Sequence, residues 1–109
     1  GAFPLWLAPV QVKVLPVTER AHDYATQIAA KLDAADVRVE NDLRSEKLGY
    51  KIREAQMQKI PYMLVVGDRD MENGTVSVRT RKGDDLGAMT LDAFLSKCLM
   101  EVATKSKEV

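Results

Sequence analysis

Charged and hydroxyl side chains occur in three short segments of this sequence where they could bind a polar ligand together. The segments contain Arg44, Ser45 and Lys47; Gly67-Asp68-Arg69-Asp70; and Arg79 and Arg81. A carboxylate accepts paired N–H groups and an arginine donates to carbonyl oxygens, so this combination suits the exposed edge of an unpaired base. The residues therefore indicate a reader of single-stranded RNA, while the alternative for the Gly-Asp segment is a structural turn.

Residues that support catalysis or hold metals are scarce in the chain. The single histidine is His22, and the single cysteine, Cys98, lies among apolar residues where a buried thiol is expected. A zinc site built on cysteine and histidine is therefore implausible. The turn Pro16-Val17-Thr18-Glu19 has no glycine that would let a pyrophosphate approach the backbone, so no nucleotide site is predicted there. We expect the segment to be non-catalytic and to bind no cofactor.

Length and charge limit the architecture to one domain with a local binding surface. The chain has 109 residues, of which 46% are hydrophobic, enough for a single packed core. Sixteen basic and sixteen acidic residues cancel, so a polyanion would have to be held by a local patch. The sequence has neither a signal peptide nor an apolar run of membrane-spanning length, which favours a cytoplasmic protein.

Residues 1–9 differ in character from the rest and are predicted to be a linker cut from a longer protein. They lack an initiator methionine and have the extended style that prolines impose. Phe3, Leu5 and Trp6 would then pack against an upstream part of that protein. The alternative is that they close over the core of this domain, which would span residues 10–109.

The strands that would position the polar segments are organised around one apolar run. Residues 62–67 contain no charge and lie between Pro61 and Asp68, which predicts a central strand buried on both faces. Further strands are predicted at residues 10–17, 37–40, 75–81 and 86–89. The strand at 75–81 follows an Asn-Gly turn and should run antiparallel to the central strand. Residues 105–109 are expected to fray.

Three amphipathic helices are predicted between the strands. The first begins after Thr18 and ends at Asp36, the second is capped by Asp42 or Ser45, and the third follows Thr90. The stripes that would face the sheet are Ala21, Tyr24, Ala25, Ile28, Leu32 and Ala35; Leu48, Ile52 and Ala55; and Leu91, Phe94, Leu95, Cys98, Leu99 and Val102. The strands and helices together indicate an α/β fold.

Four stretches of the chain closely resemble the C-terminal anticodon-binding domain of the bacterial threonyl-tRNA synthetase family. They are Phe3-Pro4-Leu5-Trp6-Leu7-Ala8-Pro9-Val10-Gln11-Val12, Asp42-Leu43-Arg44-Ser45-Glu46-Lys47-Leu48-Gly49-Tyr50-Lys51-Ile52-Arg53-Glu54, Ile60-Pro61-Tyr62-Met63-Leu64-Val65-Val66-Gly67-Asp68 and Val78-Arg79-Thr80-Arg81-Lys82-Gly83. The resemblance implies a three-layer α/β/α fold of class IIa synthetases. Its five-stranded mixed sheet would have the order 2-1-3-4-5, with strand 4 antiparallel.

The same resemblance implies which residues read the anticodon. Ser45, Asp70 and Arg79 occupy the positions that contact the second and third anticodon bases of threonine tRNA, G and U. The family typically has Asn at position 45 and Glu at position 70, so Ser45 and Asp70 are shorter and would reach their partners through water. Arg79 matches the family pattern.

Several basic side chains near these positions are predicted to contact RNA phosphates. They are Arg44, Lys47, Lys51, Arg53 and Arg81. A helix N-terminus with basic neighbours can hold phosphate through free N–H groups and positive charge. The alternative is a solvated charged face on which Lys51 pairs with Glu54.

The resemblance as a whole implies a non-catalytic module of threonine-tRNA ligase that positions threonine tRNA for an upstream catalytic domain. ATP and zinc would belong to that catalytic domain, and the parent would be a homodimer. The alternatives are an accessory protein that reuses the fold for protein–protein contact, and the anticodon-binding domain of another class IIa synthetase.

Overall fold

The central strand predicted from the sequence lies in the middle of a five-stranded mixed sheet. The structure, a computed structural model, describes residues 3–104, so the predicted fraying of residues 105–109 lies outside it. The strands are β1 (Val12–Pro16), β2 (Val39–Asn41), β3 (Tyr62–Val66), β4 (Thr75–Thr80) and β5 (Asp85–Thr90). The helices are α1 (His22–Ala34), α2 (Leu48–Met57), α3 (Asp68–Asn73) and α4 (Leu91–Thr104), with 3-10 turns at Leu5–Leu7 and Glu19–Ala21. None of these helices is both long and apolar enough to cross a membrane.

Strand pairing follows the order β2-β1-β3-β4-β5. β1 pairs in parallel with β2 and with β3, and β4 is antiparallel to both β3 and β5. A register shift between Val78 and Arg79 interrupts the pairing of β4 with β5. This topology and the three layers of helix, sheet and helix confirm the fold predicted from the sequence.

Each face of the sheet is covered by its own helices, as the alternation of side chains along the strands requires. One face packs against α1 and α4, where the ring of Phe94 meets Tyr62 edge to face at 5.3 Å. The other face packs against α2 through Leu15, Met63 and Val65. All five residues of β3 are buried, because helices cover both of its faces.

The apolar stripes of the helices are mostly buried as predicted, with exceptions at the end of α4. Cys98 and Phe94 are buried, whereas Leu99 and Val102 are exposed and the prediction that they face the core is wrong. Both follow Cys98, which is the last described residue of α4 in the buried core. Thr90 caps the N-terminus of α4 as predicted, because its Oγ1 accepts a hydrogen bond from the N–H of Ala93 at 3.1 Å.

Two local predictions at the ends of β2 and β3 are also wrong. Neither Asp42 nor Ser45 caps α2, which begins at Leu48 after an N-cap residue, Lys47, that makes no side-chain cap. The segment after β3 is not a simple turn but the six-residue helix α3, which ends at Gly74 with a left-handed φ of 66°. Glycine adopts this conformation without steric cost, which explains the Asn-Gly signal at this point.

Residues 3–9 pack onto the domain. Leu5 is buried in the core beside α4, and the backbone carbonyl of Leu5 accepts a hydrogen bond from Gln11 Nε2 at 2.9 Å. Arg38 donates to the carbonyls of Ala8 and Trp6 at 2.9 and 3.1 Å. The prediction that Leu5 packs against an upstream part of a longer protein is therefore wrong, and the alternative that this segment closes over the domain's own core holds for Leu5.

Candidate nucleic-acid interface

β4 and β5 extend the sheet beyond the part of it that packs on α2. On the α2 side, β4 places Thr75, Ser77 and Arg79, whose side chains all keep partial solvent exposure. Opposite them on β5 lie Thr90, Ala88 and Asp85. We call these six residues the open face. It is polar and runs from the carboxyl end of β3, where Ser77 pairs with Val65, to its amino-terminal half, where Arg79 pairs with Met63. Ligands of open α/β sheets bind at the carboxyl ends of the strands, which is the end of this face that carries Thr75 and Ser77.

Arg79 is the basic side chain of the open face. It lies opposite Met63 of β3, and its guanidinium nitrogen is 3.8 Å from a carboxylate oxygen of Asp85. The side chain of Arg79 is 39% exposed and that of Asp85 is 59% exposed, so water screens the pair and the attraction is weak. The guanidinium can therefore exchange Asp85 for a base carbonyl or a phosphate.

Asp70 is close to the open face, but its carboxylate is engaged within the protein. One oxygen accepts the N–H of Gly67 at 3.3 Å, and the other accepts the hydroxyl of Thr75 at 2.7 Å. The hydroxyl of Ser77 lies 3.3 and 3.2 Å from the two oxygens. Asp70 is only 7% exposed, so the carboxylate joins α3 to β4 instead of projecting into solvent.

Ser45 lies in the exposed loop between β2 and α2, and this loop is fixed at its base by Asp42. The carboxylate of Asp42 accepts hydrogen bonds from the backbone N–H of Arg44 at 3.2 Å and from two guanidinium nitrogens of Arg44 at 2.9 and 2.8 Å. The guanidinium of Arg44 also donates to Glu54 of α2 at 2.5 Å. The loop that carries Ser45 is thereby tied to α2, and Ser45 itself remains exposed.

The predicted phosphate contacts have different environments. Lys51 is 2% exposed and its Nζ donates to the carbonyl of Asp42 at 3.1 Å, so the prediction of a surface ammonium at Lys51 is wrong, as is the alternative of a Lys51–Glu54 pair. The reason is that α2 packs Lys51 against the base of the preceding loop. Arg44 is half exposed but already paired with two carboxylates.

The remaining basic residues keep their charged ends near solvent. Lys47 and Arg53 are exposed, and Arg53 borders a cavity of about 720 Å³ on the outer side of α2 together with Tyr50 and Met57. Arg81 is partly exposed and donates to the carbonyl of Lys59 at 3.2 Å. These three side chains are available to an RNA backbone.

The pKa values of Asp42, Glu54 and Cys98 are shifted by their contacts and burial. Hydrogen bonds from Arg44 hold the pKa of the Asp42 carboxyl below its usual range, and the same guanidinium lowers the pKa of Glu54. Burial raises the pKa of the Cys98 thiol to about 12, which confirms the predicted inert, buried cysteine. Within residues 3–104, no group of three or more His, Cys, Asp or Glu side chains is arranged to hold a metal ion.

The sequence placed Ser77 and Thr75 on the face of Arg79 but gave them no role. Their contacts with Asp70 depend on how α3 folds back over β4, and α3 is too short to produce a periodic pattern in the sequence. The clamp of Asp42, Arg44 and Glu54 was missed for a similar reason. The predicted cap role of Asp42 is wrong because its carboxylate binds Arg44, whose guanidinium reaches Glu54 in α2.

This fold and its polar open face define a known class of RNA-binding domain. The family described as "Anticodon binding domain" matches residues 11–101, so the chain belongs to that family of anticodon-binding domains. The relatives narrow the class further: this is an anticodon-binding domain of the threonyl-tRNA synthetase type, as the sequence resemblance implied.

The chain is similar to one segment of much longer ligases. It is 61% identical over 106 residues to the threonine-tRNA ligase of Caldanaerobacter subterraneus subsp. tengcongensis, which covers 97% of this chain and 16% of the ligase. It is 63% identical over 105 residues to the threonine-tRNA ligase of Syntrophomonas wolfei, covering 96% of this chain and again 16% of the ligase. The chain therefore spans about a sixth of the length of these curated relatives.

A solved structure supports the same relationship. The crystal structure of the RNA binding domain of threonyl-tRNA synthetase from Cryptosporidium parvum Iowa II matches this fold with a TM-score of 0.87 at 30% identity. The match covers 92% of this chain and 25% of that chain. The shared architecture therefore extends over nearly all of the sheet and helices described above.

Proposed function

We propose that this chain is the anticodon-reading part of a threonine-tRNA ligase and that it positions threonine tRNA for charging elsewhere in the parent enzyme. The observation that carries the proposal is the partly exposed guanidinium of Arg79 on the open face of an anticodon-binding domain. An arginine donates to the acceptor atoms of a base edge, and its weak pairing with Asp85 makes it available to do so. Ser45, exposed in the loop that follows the carboxyl end of β2, is proposed as a second base contact.

The proposed ligand is the second and third anticodon bases of threonine tRNA, which are G and U in the family. An unpaired guanine presents its O6 acceptor and its N1–H and N2–H donors on one edge. Arg79 would donate to the acceptor of such a base. Arg81, Lys47 and Arg53 are proposed as phosphate contacts that add affinity without base preference.

The parent enzyme, rather than this segment, is proposed to carry the chemistry. It would bind ATP and zinc in an upstream catalytic domain, act as a homodimer and work in the cytoplasm. The relatives support this proposal because they are named threonine-tRNA ligases and are about six times as long as the matched segment. Residues 1–9 are proposed to lead from that catalytic domain into this one.

Charging by the parent ligase tests the proposal. The variants are Arg79→Gln and the matched control Arg81→Gln, each assayed with threonine tRNA and with tRNAs altered at the second or third anticodon base. Arg79→Gln should reduce the discrimination in kcat/KM between cognate and altered tRNAs by roughly 5- to 150-fold, the scale of one base contact of about 1 to 3 kcal/mol.

The control separates base reading from phosphate binding. Arg81→Gln should lower kcat/KM by a similar factor for every tRNA, because a phosphate contact carries no base preference. If Arg79→Gln also lowered charging of all tRNAs alike, Arg79 would be reduced to a phosphate contact and the proposed reading role would be wrong.

A further inference from the structure

The hydroxyls of Thr75 and Ser77 both hydrogen-bond to the buried carboxylate of Asp70. Thr75 Oγ1 lies 2.7 Å from Oδ1 of Asp70, and Ser77 Oγ lies 3.3 and 3.2 Å from Oδ1 and Oδ2. The N–H of Gly67 occupies Oδ2 from the opposite side at 3.3 Å. Three donors thus converge on Asp70, which is 93% buried by these neighbours and by α3.

This arrangement fixes the direction in which each hydroxyl hydrogen points. A carboxylate has no hydrogen to donate, and a hydroxyl has a single hydrogen with two acceptor lone pairs. Thr75 and Ser77 must therefore donate to Asp70. Toward the solvent side of the open face, both oxygens can only accept hydrogen bonds.

Arg79 has the opposite character two residues further along β4. Its guanidinium donates and cannot accept. The open face of β4 therefore presents a fixed order of acceptor, acceptor and donor at Thr75, Ser77 and Arg79. The Watson–Crick edge of guanine matches a protein acceptor beside a protein donor, because it carries N–H donors beside the O6 acceptor. Adenine does not match, because its N1 is an acceptor where guanine has the N1–H donor.

We infer that Ser77, assisted by Thr75, is a specificity-determining residue that accepts an N–H of the anticodon guanine, and that Asp70 is a positioning residue that orients these hydroxyls. The inference rests on the proposed function and deepens it. The acceptor character of Asp70 reaches the open face through the hydroxyls that it holds.

Replacement of Asp70 by asparagine gives a signature that a merely structural role would not produce. Because the N–H of Gly67 requires an oxygen at its position, Asp70→Asn should place the amide nitrogen at the site of Oδ1, beside Thr75 and 3.3 Å from Ser77. The amide would then donate to Thr75, whose hydrogen would turn toward the ligand, whereas Ser77 keeps the retained oxygen, 3.2 Å away, as its acceptor. The open face would present a donor at Thr75 where it had an acceptor, which weakens the preference for guanine.

The experiment uses the full parent ligase with tRNAs that carry G or A at the middle anticodon position. The variants are Ser77→Ala, the conservative Ser77→Thr and Asp70→Asn, with Ser96→Ala on the exposed surface of α4 as the control. Ser77→Ala should lower the preference for G over A in kcat/KM by roughly tenfold, the effect of one lost hydrogen bond. Ser77→Thr should keep the preference because it keeps the hydroxyl, Asp70→Asn should reduce it, and Ser96→Ala should leave it unchanged.

Arg79→Gln, assayed in parallel, separates this inference from the proposed function. If Arg79→Gln lowers discrimination while Ser77→Ala and Asp70→Asn leave the preference for G intact, Ser77 does not read the base and the inference is wrong. Equal losses with both tRNAs in Ser77→Ala would also overturn it. If the unaltered ligase shows no preference for G at all, the proposed function itself fails.

Discussion

Replacement of Asp70 should weaken the fold much more than replacement of its neighbour Asp68, although both are aspartates of α3. Asp70 is 7% exposed and accepts hydrogen bonds from three donors. The carboxylate of Asp68 is 53% exposed and pairs with the exposed Arg20 at 2.7 Å. Sequence position and residue type are nearly the same for the two residues. Any difference in stability therefore reports on the buried contacts of Asp70.

The magnitude can be worked from those contacts. Asp70→Ala removes the acceptor of the Gly67 N–H at the start of α3, a loss of about 0.5 to 2 kcal/mol. The half-exposed hydroxyls of Thr75 and Ser77 can turn to water, so each loses less than the roughly 1.5 to 3 kcal/mol of a fully buried charged hydrogen bond. The free energy of unfolding should fall by about 2 to 3 kcal/mol.

Thermal and urea unfolding of the chain measure this effect. A domain of 109 residues loses roughly 10 °C of Tm for such a change, since its unfolding entropy is about 0.2 kcal/mol/K. Asp68→Ala should cost no more than about 1 kcal/mol, because surface ion pairs and helix-dipole effects are small. Equal destabilisation by Asp70→Ala and Asp68→Ala would refute the conclusion that Asp70 joins α3 to β4.

Three further predictions follow from buried or paired groups. Lys51→Met should lower the free energy of unfolding by about 1 to 2 kcal/mol, because it leaves the buried carbonyl of Asp42 without its donor. The control Lys47→Met should change it by less than about 0.5 kcal/mol. Unchanged stability with weakened RNA binding in Lys51→Met would instead support a phosphate contact at Lys51. Cys98 has a folded pKa raised from 9.0 to about 12, so its thiol contributes stability below pH 9 that is lost as the pH rises toward 12. Iodoacetamide should accordingly alkylate Cys98 far more slowly in the folded chain than in urea at pH 9, and equal rates would contradict burial. Arg44 lowers the pKa of the Asp42 carboxyl in the folded chain, so this carboxylate contributes stability above about pH 4 that is lost as the pH falls through the folded pKa. In Asp42→Asn, the free energy of unfolding should therefore depend less on pH on the acid side. An unchanged dependence on pH would show that the Asp42–Arg44 pair contributes nothing.

Much of the fold could be predicted because its strands carry simple patterns. The uncharged run that became β3 identified the central strand, and alternation along residues 75–81 placed Val76 and Val78 inside and Arg79 outside. These features depend on neighbours in the chain, which the sequence displays directly. The order of the strands came from the resemblance, because periodicity alone does not say which strands are adjacent.

The errors arose where packing and side-chain pairing, which leave no repeating pattern in the sequence, decide the outcome. Periodicity assigned Leu99 and Val102 to the buried side of α4, but it does not reveal that the buried core ends at Cys98 along this helix. Asp42 looked like a cap residue until the structure placed its carboxylate against Arg44. Lys51 looked exposed by residue type, yet its aliphatic stem and ammonium fit beneath the loop.

The residues of the candidate site likewise differ in how far the sequence could predict them. Arg79 could be located from strand alternation and from the family motif, and the structure places it on the open face. The environment of Asp70 could not be predicted, because it depends on the short helix α3 folding over β4. Residue identities alone therefore suggested a carboxylate that meets the ligand, whereas the contacts show a carboxylate that organises its neighbours.

Binding of two anticodon stem-loops to this chain tests the central claim most directly. The loops would carry the threonine anticodon and a copy with A in place of the middle G, titrated against the unaltered chain and Arg79→Gln at two salt concentrations. The account predicts weak binding that falls with salt, as a local patch on a chain of zero net charge implies, with the G loop preferred roughly tenfold and the preference diminished in Arg79→Gln. Equal affinity of the unaltered chain for both loops would contradict the claim that this domain reads the anticodon.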